Sequence, residues 1–378
     1  LSENQITLSS GQSATCTIVN DDIAPTLTLI KKVINDNGGT EGDNAWVLYA
    51  DGSNRPFYGL GPNVGPYEVM AGVEYTLTET DKPGYSASSW VCTGGGTQVG
   101  NKITLALDEN VTCTITNDDQ PAHLIVIKHV DNTHGGTANA SDFTMTISGV
   151  TVTGTNQFSG QESPGTDKIV TPGTYNVSET GPSDYISQFS TDCSGTIALG
   201  ETKTCTVTNS DKPATLTVIK NVRNDAGGTA VASDFTINVT GTNVSSSSFP
   251  GSEAGVSVTL DAGNYTVDEG DNSGYTKSLG TNCSGTIKAG ESKTCTIIND
   301  DKTAELIVKK IVHGGSLTPS SFSYSLNGGA AHSFENDGQS DLNVSAGTYT
   351  VTEPAVTGYT TTYDNCSGIV LPNGGSAT

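Results

Sequence analysis

Positive charge is scarce in this chain: 17 Lys and Arg stand against 40 Asp and Glu in 378 residues, a formal net charge of −23. That balance excludes nucleic acid as an expected partner, because phosphates are held by a basic surface. No apolar run approaches the ~18 residues of a membrane helix, so no membrane insertion is expected within these residues. The chain opens at Leu1 with no signal peptide, and targeting and anchoring signals are expected to lie outside it. Helical periodicity is missing, aromatics make up only 6%, and Met and Trp occur twice each. The Cys residues form no CxxC pair, and only five His are scattered along the chain, so no metal site of the zinc type is expected. Neither GxSxG nor HExxH occurs, and no enzyme acting on an outside substrate is expected.

What is present is Gly, at 45 residues, with Ser and Thr throughout, a composition suited to short strands joined by tight turns. Eight Cys in similar local settings point to disulfides in an oxidising, extracellular or cell-surface location. Asn-x-Ser/Thr sequons at Asn110, Asn139, Asn176, Asn238, Asn243, Asn264, Asn282, Asn343 and Asn365 are glycan acceptors wherever the cell glycosylates them.

An internal repeat organises the chain. An opening segment recurs as LTLIKKV from Leu27, LIVIKHV from Leu124, LTVIKNV from Leu216 and LIVKKIV from Leu306. A middle segment recurs from Tyr75, Tyr175, Tyr265 and Tyr349, and a second Tyr follows each at Tyr85, Tyr185, Tyr275 and Tyr359. A closing segment recurs as CTIVN from Cys16, CTITN from Cys113, CTVTN from Cys205 and CTIIN from Cys295. The anchors predict closing strands of a truncated repeat over 1–22, β-sandwich repeats over 23–119, 120–211 and 212–301, and a repeat lacking its last strand over 302–378. Alternating segments with turns such as AGES between them give an all-β chain of tandem immunoglobulin-like or prealbumin-like antiparallel β-sandwiches, with about seven strands each. Closing Asn and next opening Lys are 11 residues apart at every junction, from Asn20 to Lys31 through Asn299 to Lys310. That constancy predicts a short, stiff connection, since a flexible tether tolerates changes of length.

Strand alternation places a Lys in phase with the core in each opening strand, a Glu in each middle strand and an Asn in each closing strand. Buried charges need partners, so these residues are expected to meet. Burial lowers a Lys pKa and raises that of Glu. A neutral amine can then attack the Asn carboxamide while Glu polarises the carbonyl and moves protons. The product is an intramolecular isopeptide bond, and the alternative is a buried hydrogen-bonded or salt-bridged cluster.

On these residues the repeats resemble the prealbumin-like, B-type repeat domains of Gram-positive collagen adhesins and pilin subunits. In that family the opening Lys bonds to a closing-strand Asn, assisted by the Glu of a Y-x-V-x-E strand. The resemblance implies the pairs Lys31–Asn117, Lys128–Asn209 and Lys220–Asn299, with Glu79, Glu179 and Glu269 assisting. Lys310 with Glu353, and Asn20, fit the pattern with partners outside the chain. The family is usually poor in Cys, whereas these repeats carry Cys pairs.

Hairpin spacing predicts the disulfides Cys193–Cys205 and Cys283–Cys295, and Cys92–Cys113 around a longer insertion, leaving Cys16 and Cys366 with partners outside the chain. Expected partners are neighbouring repeats or identical subunits head to tail, and strand donation between subunits is an alternative to a longer polypeptide. No cofactor is expected. The loops from Asn35, Asp131 and Arg223, and the acidic pairs Asp21/Asp22, Asp118/Asp119 and Asp300/Asp301, read as turns and solvated junctions, with calcium as the alternative. Trp46, Trp90, Tyr49 and Phe57 in the first complete repeat read as a larger core, with a carbohydrate or protein contact as the alternative. The functional expectation is an extracellular stalk or filament of covalently reinforced domains; the competing class is an adhesin whose repeats bind a host, matrix or carbohydrate ligand.

Overall fold

A computed structural model describes residues 5–378 of the chain. Strands account for the regular structure, and among the described residues the only helical pieces are single 3-10 turns such as Asp43–Ala45 and Ala232–Asp234. Two compact units are formed. One takes in the first repeat with most of the second, including Ala140–Gly181 and Phe189–Val207; the other joins Val130–Asn139 and Pro182–Gln188 to Thr208–Thr378.

In the second unit the third repeat shows the plan most clearly. One sheet runs Val256–Leu260, Ala214–Arg223, Ser292–Asp301, Tyr275–Leu279, and the other runs Ser248–Pro250, Thr236–Thr240, Gly263–Glu269, Ser284–Ile287. The repeat therefore has eight strands, not the seven expected. The extra one is the short edge strand Ser248–Pro250, whose Ser-rich surroundings carry no alternation that would mark it. Leu216, Val218, Ile237, Val267 and Ile297 fill the space between the sheets, each 2% exposed or less. Burying each such side chain contributes about 1.5–3 kcal/mol.

The opening and closing strands lie side by side in the middle of their sheet and run parallel, from Thr215 opposite Ser292 to Arg223 opposite Asp300. This pairing of the two ends of a repeat is the single departure from antiparallel order in the repeat. It needs the whole domain as its crossover, as parallel neighbours always need a long connection.

The first unit repeats the plan. Thr26–Ile34 pairs in parallel with Asn110–Asp119, from Thr26 opposite Asn110 to Ile34 opposite Asp118. The second sheet gains Thr97–Val99 as an additional strand beside Lys102–Thr104, which accounts for the longer insertion between Cys92 and Cys113. Trp46 and Trp90 are buried in this core, and Tyr75 packs with them. In the second repeat the sheet that lies within this unit has the matching order Gln157–Ser159, Thr144–Ser148, Gly173–Thr180, Ser194–Ile197.

The fourth repeat is less complete. Its opening strand Ala304–Lys309 pairs with Gln339–Val344 on one side, but on the other it meets only Ser376–Ala377.

Candidate functional site

The site in each repeat begins with the parallel pair at the centre of one sheet. Lys31 lies opposite Ile115, and Asn117 is two residues further along the closing strand, so both side chains point into the core. Two residues of strand amount to about 6–7 Å, a gap that a four-carbon Lys stem spans. The third repeat has the same offset, with Lys220 opposite Ile297 and Val222 opposite Asn299. From the facing sheet, Glu79 and Glu269 end their middle strands pointing at the amines.

The Lys–Glu contacts, short in the first repeat and longer in the second and third, lie in a setting almost closed to water. Lys31 Nζ is 2.6 Å from Glu79 Oε2, with side chains 0% and 8% exposed. Lys220 Nζ is 3.4 Å from Glu269 Oε2, and Lys128 Nζ is 3.9 Å from Glu179 Oε2. Each amine also sits over an aromatic ring: Trp46 at 4.6 Å for Lys31, Phe143 at 4.2 Å for Lys128 and Phe235 at 4.4 Å for Lys220. Such rings favour a cation but supply no hydrogen-bond acceptor of carboxylate strength.

Desolvation dominates the electrostatics. Burial pushes the amines of Lys31, Lys128 and Lys220 below the ordinary lysine value, and the neighbouring carboxylate only partly offsets it. Asn117, Asn209 and Asn299 are 3%, 2% and 1% exposed, and the side-chain carbonyl oxygen of each lacks a hydrogen-bond partner. An orphaned buried carbonyl costs about 1–3 kcal/mol, so an amide of this kind is held for a reason other than its own comfort.

Glycine makes room for the amine. A Cβ on Gly251 would lie 2.5 Å from the carbonyl oxygen of Ala232 and 2.7 Å from Cγ of Lys220, so the loop can cross the Lys stem only without a side chain. Gly160 and Gly61 occupy the matching places over Lys128 and Lys31. Sequence reasoning passed over these glycines, although the shared Phe-x-Gly in FSG and FPG was a usable signal.

The structure forms the three disulfides Cys92–Cys113, Cys193–Cys205 and Cys283–Cys295 across facing positions, and Cys16 and Cys366 are free. Lys310 and Glu353 come together at 2.7 Å in the fourth repeat. Asn20 lies in an exposed segment that belongs to no strand.

A second arrangement recurs at the end of each closing strand. Asp119 is 1% exposed and accepts hydrogen bonds from the backbone amides of Asp36, Asn37 and Gly39, the last at 2.6 Å. Asp301 takes the amides of Asp225, Ala226 and Gly228 in the same way, and Asp211 takes those of His134 and Gly136. Burial opposes the charge on Asp119 and Asp301, but the converging amides outweigh it and hold both carboxyls below the usual carboxylate range. The second Tyr of the repeat closes the cage: Tyr85 Oη donates to Asn35 and Tyr275 Oη to Asn224, each at 2.8 Å, and Tyr185 Oη donates to Asn132. Loops read as turns with a calcium alternative are thus tied to a carboxylate of their own repeat. Asp36, Asp118 and Asp119 converge, as do Asp225, Asp300 and Asp301. The buried member of each set is already supplied with amide donors.

Repeats also touch through these loops. In the second unit, Ala262 N donates to His134 O at 2.8 Å and Ala346 N to Ala226 O at 2.7 Å, while His134 Nδ1 lies 2.8 Å from Asp261. In the first, the contact runs through the junction residue and not a caged loop: Gln120 N donates to Gly84 O at 2.8 Å and Gly200 N to Gln120 O at 3.0 Å.

With this geometry in view, the profile of a family described as a prealbumin-like fold domain matches the chain four times, over residues 22–115, 119–210, 211–298 and 301–377. The chain belongs to this family. No curated protein matches it. Among solved structures, the prealbumin-like repeats are similar to the Bacillus anthracis TIE protein at 15% identity and a TM-score of 0.44, covering 88% of this chain and 67% of that one. They are similar to two B repeat units of the collagen-binding protein of Staphylococcus aureus at 14% identity and a TM-score of 0.22, covering 92% and 97%. The pilus adhesin SpaC of Lactobacillus rhamnosus GG matches at 15% identity and a TM-score of 0.25 over 74% of this chain, which spans only 44% of SpaC.

Proposed function

We propose that the chain is an extracellular structural protein, a stalk or filament segment whose prealbumin-like repeats are each locked by one disulfide and one Lys-to-Asn isopeptide bond. One observation carries the reading: a desolvated Lys amine, a carboxyl group 2.6 Å away and an amide carbonyl without a donor occupy one buried layer of the first repeat. The neutral amine of Lys31 attacks Cγ of Asn117. A C–N bond forms, the bond from Cγ to Nδ2 breaks, and Glu79 carries the proton from the amine to the departing ammonia. Lys220, Glu269 and Asn299 do the same in the third repeat, and Lys128, Glu179 and Asn209 correspond to them by sequence. No outside substrate is turned over.

Both cross-links suit load. A bond between the first and last strands carries tension directly between the points where force enters and leaves a repeat, bypassing the hydrogen bonds of the other strands. Three disulfides fit a location outside the reducing cytosol. The intermolecular partners on this reading are identical subunits arranged head to tail.

A ligand-binding role as an adhesin is favoured by one feature, the ring pair Tyr49 and Tyr58 on the outside of the first repeat. Their centroids are 5.7 Å apart, and Tyr58 is 70% exposed.

Intact mass of the reduced, denatured chain tests the proposal. Each complete repeat is expected to be lighter by one ammonia, and full unreacted mass in all of them would end the isopeptide reading.

A further inference from the structure

The third repeat carries a charged residue beside its Lys–Glu–Asn layer where the first two repeats do not. Two residues after the second Tyr of each repeat the chain has Ala87, Ser187 and Lys277. This position lies on the edge strand next to the closing strand, with Ala87 opposite Asn117 and Lys277 opposite Asn299. Directly opposed residues of an antiparallel pair share a face and stand about 4.5–5.5 Å apart at Cβ. Lys277 therefore rises on the same side as Asn299, from the edge of its sheet.

The Lys277 side chain turns back onto the protein. Its Nζ donates to Glu269 O at 2.9 Å and to Asp268 Oδ1 at 2.8 Å, with Asp271 at 3.4 Å. The stem thus crosses from the edge of one sheet to the end of the middle strand in the other, over the place where Glu269 meets Lys220. The Glu269 side chain is 1% exposed, against 8% for Glu79 and 7% for Glu179. Ala87 and Ser187 are exposed and too short to reach across.

Charge divides the repeats in the same way. Burial lowers the amines of Lys31, Lys128 and Lys220 alike, but the charges beyond each repeat's own Glu differ in sign. Asp43 favours the ammonium of Lys31 and Glu162 that of Lys128, whereas Lys277 disfavours that of Lys220. Lys277 itself stays charged, because its hydrogen bond to Asp268 holds the amine above the ordinary lysine value. The charged groups around the two amines are thus Glu269, Asp268 and Asp271.

We propose that Lys277 is a positioning residue for the Lys220–Asn299 cross-link, strapping the edge of the site shut, holding Glu269 by its backbone and setting a fixed positive charge beside the reacting amine. Its consequence for bonding rests on the isopeptide chemistry proposed above, whereas its effect on Lys220 does not. In that chemistry a proton passes from Lys220 Nζ to Glu269, Nζ bonds to Cγ of Asn299, and Nδ2 departs as ammonia. Lys277 neither gains nor loses an atom. It favours the first of these steps, since two ammonium groups in one dry space repel. The third repeat is thereby set to lock at a lower pH than the first two.

Two measurements on the full chain test this. In Asn299→Ala, which leaves Lys220 a free amine, ¹³C-lysine NMR follows the titration of Lys220, recognised as the signal that Lys220→Met removes. Adding Lys277→Met, which keeps the stem and removes the charge, should raise that titration by about one pH unit, and Lys277→Arg should restore it. With Asn299 intact, newly synthesised chain held in urea is folded into an oxidising buffer, and peptide mapping times the bonds. Lys277→Met should slow the third bond about tenfold at neutral pH and leave those at Lys31 and Lys128 unchanged. A Lys220 titration that Lys277→Met does not move overturns the proposal, as does a third bond of unaltered rate in that variant. If no repeat of the parent forms a bond, the isopeptide reading fails by itself: a shifted Lys220 titration then still upholds the strap and its charge, and an unshifted one overturns them.

Discussion

Lys31 Nζ lies 2.6 Å from Glu79 Oε2 in a layer of the first repeat that solvent scarcely reaches. The pair is short, yet burial still draws the amine below the ordinary lysine value. A carboxyl group this close to a desolvated amine is placed to take its proton, and this is the step that nucleophilic attack on Asn117 requires.

Replacing Glu79 with Ala removes that acceptor. The first repeat should then keep its ammonia while the others lose theirs, a difference read from the reduced mass. Leaving Lys31 buried without its partner should also cost about 3–5 kcal/mol in that repeat, beyond what the lost bond removes. Denaturant melts of the Glu79→Ala and Asn117→Ala variants separate the two effects, because Asn117→Ala abolishes the bond but keeps the ion pair.

The disulfides should matter less. Cys283 and Cys295 close a loop with a sequence separation of 12, for which constraint of the unfolded chain is worth roughly 3 kcal/mol. Cys283→Ala with Cys295→Ala should therefore lower the midpoint of the third repeat in scanning calorimetry without unfolding it. An unfolded third repeat would show that the strand-to-strand bond is absent.

Acid should loosen the loops before the cores. Asp301 is held below the usual carboxylate range in the folded repeat, whereas in the unfolded chain it returns to about 3.9. Its contribution is thus present above the unfolded value and is lost as pH falls through the depressed one. Asp301→Asn should cost about 1–3 kcal/mol at neutral pH, because loop amides lose their anion. The gap from the parent should close as pH drops below the carboxylate range, as followed by urea midpoints at a series of pH values.

Much of this was legible in the sequence because strand alternation is strict. Leu27, Leu29 and Lys31 mark one face, and that is the face the fold buries. What was not legible depends on non-local pairing or on the backbone. That the opening and closing strands are parallel neighbours follows from how eight strands are wound, and no local pattern records it. Asp119 was visible as half of an acidic pair, but its partners are amides, which every residue has. At the remaining junction Ser210 stands where the first Asp of the pair would be, and the second Asp, retained as Asp211, is the one that binds the loop.

The contacts between repeats depend on a bare backbone. Gly227 adopts φ +87°, and a Cβ there would lie 2.5 Å from the carbonyl oxygen of Ala346. Gly227→Val should separate the loop from the following turn. Hydrogen exchange at the Ala346 amide, which donates to Ala226 O, should quicken at least tenfold while that of Val218 in the core stays unchanged.

The most direct measurement is peptide mapping of the reduced chain at the three complete repeats. The account predicts branched peptides joining Lys31 to Asn117, Lys128 to Asn209 and Lys220 to Asn299, each short of one ammonia and each missing when the matching Glu is replaced. Ordinary linear peptides, with a protease-cleavable lysine at all three positions and intact asparagines opposite, would contradict it.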